Sequence, residues 1–248
     1  MERDDAIRLL TTDPSVTGVF SDFDGTLSDI VPRPEDAAPV DGAVDIFEAL
    51  ATAFAHVAVI SGRSLEDLRS RFRPHGVVLA GSYGRERSDR PHRRRTEGWE
   101  AVTIAAAANA ERIPGVVLER KGTGVAFHYR AVPYREDEVR HIAADLAETF
   151  ELEVRPGRLV VELIAPGPGK GDALAKLAAE HGLRTLLFGG DDVADLEAFE
   201  HARTLDLTAV LVGVTSDESP DELTETADFV VRGPHEFVDL LRELTPLR

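Results

Sequence analysis

Apolar residues in this chain alternate between short strand-like runs and stripes at helical spacing. Val16 to Phe20 is a run that can be buried as a strand. Val44 to Phe54 repeats apolar side chains at Val44, Phe47, Leu50, Ala51 and Phe54, the three- and four-residue spacing of a helix with one buried face. Val57 to Ile60 and Val77 to Ala80 read as two more strands, and Arg3 to Leu10 as a short helix. Ser64 is placed to cap the helix that follows it, with Asp67 at the third helical position. Strand and helix in alternation predict an α/β fold around a parallel sheet.

The texture changes after the third strand. Arg85 to Arg95 is polar and dense in arginine, and is expected to be a solvated linker. Beyond it, a helix over Trp99 to Arg112 precedes strands over Val116 to Glu119 and Val125 to Tyr129. A helix over Glu136 to Phe150 then precedes strands over Leu152 to Val154 and Leu159 to Ile164. This αββαββ order suits a small antiparallel sheet with helices on one face, so residues 88–165 are expected to form an inserted second domain. The first texture then resumes. Gly167-Pro168-Gly169-Lys170-Gly171 leads into a helix ending at Gly182, followed by a strand (Thr185 to Phe188) and a helix (Val193 to Ala202). Two strands (Ala209 to Val214 and Asp228 to Val231) and a helix over Pro234 to Leu244 close the pattern. The core is thus expected to be discontinuous, built from 1–87 and 166–248.

Charge and composition narrow the function classes. With 248 residues and 43% hydrophobic content, the chain can bury a sizeable core. A net charge of −17 argues against general nucleic-acid binding, which needs a basic face. Cysteine is absent, which removes disulfides, zinc-thiolate sites and thiol nucleophiles together. No apolar run reaches membrane-spanning length, and the start Met1-Glu2-Arg3-Asp4-Asp5 lacks a signal-peptide pattern, so a cytoplasmic protein without membrane association is expected. Lysine occurs only at Lys121, Lys170 and Lys176 in a chain that otherwise uses arginine, which draws attention to those ammonium groups.

Four polar clusters sit after strands or before helices, where open α/β sheets build their sites. They are Asp22-Phe23-Asp24-Gly25-Thr26, Ser61-Gly62-Arg63, Lys170 ahead of its helix, and Asp191-Asp192 with Asp195 one turn later. Each alone is ordinary, since Asp and Ser are good helix caps and Gly-Asp-Asp is a common loop. Together their chemistry is consistent. Asp22, Asp191 and a backbone carbonyl near Asp24 form a candidate Mg²⁺ site, because two close carboxylates repel unless a cation or a proton lies between them. Asp22 is the candidate nucleophile and Asp24 the candidate acid/base. Ser61 and Lys170 are candidates for holding a transferring phosphoryl group, with Thr26, Gly62 and Arg63 as further substrate-binding candidates. Asp192 or Asp195 is expected to support the metal from beyond its ligands, and Asp195 to orient Lys170.

In this order the clusters resemble the motifs of the haloacid dehalogenase superfamily: Asp-x-Asp-x-Thr, then Ser, then Lys, then Gly-Asp-x-x-x-Asp. The chain is similar in particular to the trehalose-6-phosphate phosphatase family. The residues that carry this likeness are Asp22 to Leu27 with Ile30 to Pro34, Val59 to Ser64, Ala80 to Gly84, Glu119 to Lys121, His128 to Arg130, Gly157 to Glu162, and Gly190 to Phe199. The resemblance implies a Rossmann-like core with a mobile αββαββ cap that closes over a sugar phosphate. It also implies Mg²⁺-dependent hydrolysis of trehalose 6-phosphate in trehalose biosynthesis through an aspartyl-phosphate, and functional pairing with a trehalose-6-phosphate synthase. Glu119, Lys121 and Glu162 match cap positions that bind the distal glucose. The chain departs from the family pattern at Tyr83, where His is usual. It departs again at Ile164-Ala165, where the family's arginine is lost, and at Ala194 and Leu196. These changes bear on sugar contacts rather than on the reaction.

Rival readings are weaker. Lys170 is followed by Gly171 rather than Ser or Thr, and Asp172 stands where a dinucleotide fingerprint needs its third glycine, so neither a P-loop nor a nicotinamide site is met. A sugar phosphomutase, or a phosphatase of another sugar phosphate, shares the nucleophile and stays open. A pure binding module has no need of both Asp22 and Asp24. Trp99, Tyr129 and His128 are expected to serve packing rather than ligand binding.

Overall fold

The computed structural model describes residues 1–91, 99–121, 124–157, 159–217 and 219–245, with the backbone alone at Lys121. Contacts divide the chain into two compact units, Met1–Pro91 with Pro168–Arg248, and His92–Gly167. The elements run α1 (Arg3–Thr12), β1 (Thr17–Ser21), α2 (Ala43–Ala53), β2 (His56–Ile60), α3 (Leu65–Arg71), β3 (Val78–Gly81) and β4 (Glu86–Arg87). The second unit holds α4 (Trp99–Ala110), β5 (Val117–Lys121), β6 (Gly124–His128), α5 (Glu136–Phe150), β7 (Glu153–Gly157) and β8 (Val160–Ile164). The first unit resumes with α6 (Lys170–Glu180), β9 (Thr185–Gly190), α7 (Val193–Arg203), β10 (Thr208–Thr215), α8 (Glu222–Thr226), β11 (Phe229–Arg232) and α9 (Gly233–Glu243).

In the first unit the described strands form one seven-stranded sheet in the order β11-β10-β9-β1-β2-β3-β4, parallel except for β4. Side chains alternate between its faces, as strand geometry requires. Val19, Val57, Val59 and Leu187 join Phe47 and Leu50 of α2 and Phe237 and Leu241 of α9 on one side. Phe20, Ala58, Ile60 and Phe188 join Leu174 and Leu177 of α6 and Phe199 of α7 on the other. Both faces are covered, which explains why β1 and β2 are buried at every position and read as continuous runs rather than alternating ones. The chain leaves β1 toward β2 on one side, while β9 pairs with β1 on the other. That reversal opens a crevice at the carboxyl ends of β1 and β9.

In the second unit the described strands form a four-stranded antiparallel sheet in the order β5-β6-β8-β7. Val125, Phe127, Val161 and Leu163 point to one face and pack with Val102 and Ala106 of α4 and Val139 and Ala143 of α5. The opposite face carries the cross-strand row Glu119–Ala126–Glu162–Arg155.

Two elements were not expected. Within the arginine-rich stretch read as a solvated linker, Glu86 and Arg87 form an edge strand and are buried. Burial is stabilised because Glu86 accepts the Leu65 N–H at 2.6 Å, and Arg87 pairs with Asp89 (2.6 Å) and Glu180 (2.7 Å). Residues 92–95 of that stretch lie outside the described residues. The other is α8, a five-residue turn of helix that buries only Leu223, too short for a periodic signal.

Candidate active site

β1 and β9 run side by side, with Ser21 opposite Gly189. Asp22 follows the end of β1 and its N–H donates to Gly189 O at 2.9 Å. Asp191 follows the end of β9. Two carboxylates are thus delivered to one place by neighbouring strands. Gly25, at φ +73°, turns the chain beneath them, and a Cβ there would run into the Asp191 carboxylate. Thr26 Oγ1 donates to Asp191 Oδ1 at 3.1 Å.

Lys170 opens α6 and is buried, with Nζ 2.9 Å from Asp22 Oδ2, 2.8 Å from Asp195 Oδ1 and 3.7 Å from Asp192 Oδ1. Asp192 caps α7 by accepting the Asp195 N–H at 3.0 Å. Asp195 Oδ2 accepts the amides of Asp191 (3.0 Å) and Asp192 (3.3 Å), so both its oxygens are engaged by the protein. Asp22 Oδ1, by contrast, is buried and has no hydrogen-bond partner among the described residues.

The electrostatics follow from this crowding. Burial raises Asp22 to about 6, helped by Asp192 and Asp24 and opposed by Lys170. Burial and three neighbouring carboxylates push Asp191 well above the usual range, and burial does the same to Asp195. Burial works against the Lys170 ammonium, but Asp192, Asp195 and Asp22 outweigh it and hold the charge firmly. An orphaned buried oxygen on Asp22, in a group where Asp22, Asp191 and Asp195 offer oxygens within 4.8 Å of one another, suits a hard cation. Asp22 and Asp191 fit as its ligands, while Asp195 is already committed to Lys170 and the two amides.

The second carboxylate of the opening motif lies in a different setting. Asp24 receives Arg63 at both oxygens, 2.7 Å each. Ser61, at the end of β2, is buried and its Oγ accepts the Arg63 N–H at 3.2 Å. Beside it, Ser82 and Tyr83 both take left-handed backbone, with φ +49° and +59°. Their N–H groups donate to Arg63 O (2.6 Å) and Ser61 O (2.9 Å). A Cβ on Gly62 would meet the Tyr83 ring at 3.0 Å, so this glycine is fixed by packing as much as by any ligand.

In the second unit, Glu119 and Glu162 share the sheet face away from the helices. His128 Nε2 lies 2.9 Å from Glu119 Oε2, so it partners one of the predicted sugar-binding residues. Arg155, which sequence reasoning did not single out, stands opposite Glu162 in the same row. The strand expected over Leu152 to Val154 stops one residue short of it, whereas β7 runs Glu153–Gly157. Tyr129 is buried and donates to Glu136 at 3.0 Å, a packing role. The side chain of Lys121 lies outside the described residues.

The trehalose-phosphatase family model matches residues 20–232. The chain belongs to the trehalose-phosphatase family. Among its relatives, an uncharacterized glycosyl hydrolase of Mycobacterium tuberculosis is 39% identical over 245 residues, covering 91% of this chain and 18% of that protein. The trehalose-6-phosphate phosphatase of Escherichia coli is 32% identical over 218 residues, covering 84% of this chain and 82% of the relative. The chain spans between 18% and 63% of the length of the mycobacterial relatives it first matches. The fold is similar to the C-terminal domain of Candida albicans trehalose-6-phosphate phosphatase, with a TM-score of 0.81 at 20% identity over 100% of this chain and 98% of the other. The Rossmann-like core with a separate antiparallel sheet is thus the haloacid-dehalogenase fold of this family. Among the described residues, no helix is long and apolar enough to cross a membrane.

Proposed function

We propose that this chain hydrolyses trehalose 6-phosphate to trehalose and phosphate, in keeping with the family to which it belongs and with its relative, the trehalose-6-phosphate phosphatase of Escherichia coli. The observation that carries the reading is Asp22. It is a buried carboxylate with one oxygen held by Lys170 and the other without a partner, beside a second strand-end aspartate. Asp22 attacks phosphorus. A bond forms between its oxygen and phosphorus, the ester P–O bond breaks, and the departing sugar oxygen takes a proton from Asp24. Water then attacks the aspartyl-phosphate and gives its proton to Asp24, and the carboxylate of Asp22 returns. Lys170 offsets the charge of the phosphoryl oxygens, Ser61 and the backbone amide of Gly62 supply hydrogen bonds, and Thr26, whose hydroxyl is given to Asp191, holds that carboxylate in place rather than the substrate. Asp22, Asp191 and the Asp24 carbonyl would hold Mg²⁺, which would supply charge neutralisation between carboxylates and phosphate.

Residues 88–165 serve as the sugar-reading module in this proposal, through Glu119, Lys121 and Glu162. A cytoplasmic setting and pairing with a trehalose-6-phosphate synthase accord with the reaction, since the synthase product is its substrate. The test is phosphate release from a panel of sugar monophosphates with Mg²⁺ and no bisphosphate activator. Rapid release from trehalose 6-phosphate, slow release from the others and none from D22N is the expected result. Turnover that needs a bisphosphate would indicate a phosphomutase instead, and equal rates across the panel would remove the trehalose assignment.

A further inference from the structure

Arg63 was expected to bind substrate, and its guanidinium is already committed elsewhere. The side chain is 7% exposed. Its Nε and Nη2 donate to Asp24 Oδ2 and Oδ1 at 2.7 Å each, and Nη2 also donates to Pro34 O at 3.0 Å. Nη1 donates to Asp67 Oδ2 at 2.5 Å. The guanidinium carbon lies 5.7 Å from the centre of the Phe23 ring, between the two motif aspartates in sequence. The support extends one layer further. Arg71 donates to both oxygens of Asp67 at 2.9–3.1 Å and to the carbonyls of Glu35 and Ala37 at 2.8 Å. Arg63 and Asp67 flank the start of α3, and Arg71 ends it.

We propose that Arg63 is the positioning residue of Asp24, and that Asp67 and Arg71 hold Arg63 in place for that task. This rests on the reading of Asp24 as acid/base. Asp24 is 44% exposed and sits in a loop, where a lone carboxylate would rotate among several orientations. A two-pronged contact to both oxygens fixes the plane of the carboxylate as well as its position. Proton transfer needs that precision, because donor and acceptor must come within about 2.6–3.2 Å. Lysine has the charge without the fork, so it cannot reproduce the restraint.

The experiment compares wild type, D24N, R63K, R63Q, D67N and the double variant D24N/R63Q on trehalose 6-phosphate and on an aryl phosphate. Release of the alcohol product is followed before steady state, together with KM and inhibition by inorganic phosphate. Asp24 assistance matters most for the sugar alkoxide, a poor leaving group, and least for the aryl oxide. R63Q and R63K should therefore lower kcat on the sugar phosphate about 10- to 100-fold, with KM and phosphate inhibition changed less than about 3-fold. The aryl phosphate should suffer less than the sugar phosphate in the same ordering that D24N shows. D67N should show a weaker version of the same pattern. D24N/R63Q should be no slower than D24N, because Arg63 acts only through the group already lost. A raised KM and weaker phosphate inhibition in R63Q would make Arg63 a substrate ligand and overturn the proposal. Equal losses on both substrates that multiply with D24N would reduce it to a structural residue. If D24N itself stays within about 3-fold of wild type, the acid/base reading fails and takes the proposal with it, whereas a crippled D24N beside an unaffected R63Q removes the role of Arg63 alone.

Discussion

Asp22 leaves β1 with its amide held by Gly189 and one carboxylate oxygen held by Lys170, so the backbone and the ammonium fix it from two sides. The Asp22→Asn variant keeps the shape and the amide contact but loses the attacking charge. Turnover should fall by several orders of magnitude, with far-UV circular dichroism unchanged. Near-normal turnover in a folded variant would remove Asp22 as nucleophile. The residue types at this site were legible in the sequence, because a strand followed by Asp-x-Asp and a strand followed by Gly-Asp-Asp can put carboxylates at one crevice only if the two strands are neighbours. The partners were less legible. Nothing in Ser61-Gly62-Arg63 tells a reader that the guanidinium will turn to Asp24. That depends on the path of residues 34–37, which the Arg71 contacts to Glu35 and Ala37 help define. The left-handed pair Ser82 and Tyr83 was also invisible, since neither residue type advertises a positive φ.

At the scale of elements, the helices α2, α5, α6, α7 and α9 and the buried strands could be located from periodicity and run length within a few residues. Strand β4 could not, because its two residues are charged and are buried by a backbone hydrogen bond to Glu86 and ion pairs to Arg87 rather than by apolar patterning. A related ion-pair neighbourhood gives an element-scale prediction. His56 starts β2, is buried, and stacks on His181 beyond α6 with ring centroids 3.7 Å apart. Burial, then His181 and Arg87, lower His56 to about 4. In the unfolded chain it titrates near 6.5, so between these values the unfolded state holds the extra proton. The resulting stability is full above about pH 6.5 and is lost as pH falls toward 4. Replacing His56 by Gln should flatten the acid side of the stability curve by about 2 kcal/mol relative to wild type, measured by urea unfolding at pH 7 and pH 4.5. Parallel curves would show that His56 does not titrate in this way. The sheet of the second unit offers another. Glu162 sits in the middle of the polar face opposite the helices. If it reads the non-reacting glucose, Glu162→Ala should lower kcat/KM for trehalose 6-phosphate by about ten- to several-hundred-fold, from ~1.5–3 kcal/mol for a hydrogen bond to a charged group. Hydrolysis of a small aryl phosphate should hardly change. A uniform fall, or none, would mean that this face has a structural task.

For the whole molecule, the net charge of −17 and the buried carboxylate cluster make the first unit a composite of a well-packed sheet and a site in electrostatic tension. Burial holds Asp22 and Asp191 above their ordinary ionisation range, which is the condition expected when several carboxylates share one low-dielectric space with a single ammonium, Lys170, among them. A divalent cation that binds there binds the folded state only, so it must raise stability by mass action. At a hundred times its dissociation constant the gain is about 2.7 kcal/mol. For a chain of this length that corresponds to roughly 5–10 °C in the transition it affects. The two compact units make the prediction sharper than a single melting temperature would. Mg²⁺ should slow amide exchange in β1, β9 and the start of α7, and leave β6 and β8 of the second unit unchanged. Binding should also release protons near neutral pH, because the ligands must ionise fully. Asp191→Asn should abolish the thermal shift, the local protection and the proton release together while preserving the exchange pattern of the second unit. Protection that appears in both units, or a thermal shift that survives in Asp191→Asn, would show that Mg²⁺ acts through the acidic surface at large. Asp22 and Asp191 would then keep their places at the strand ends without being the metal's ligands.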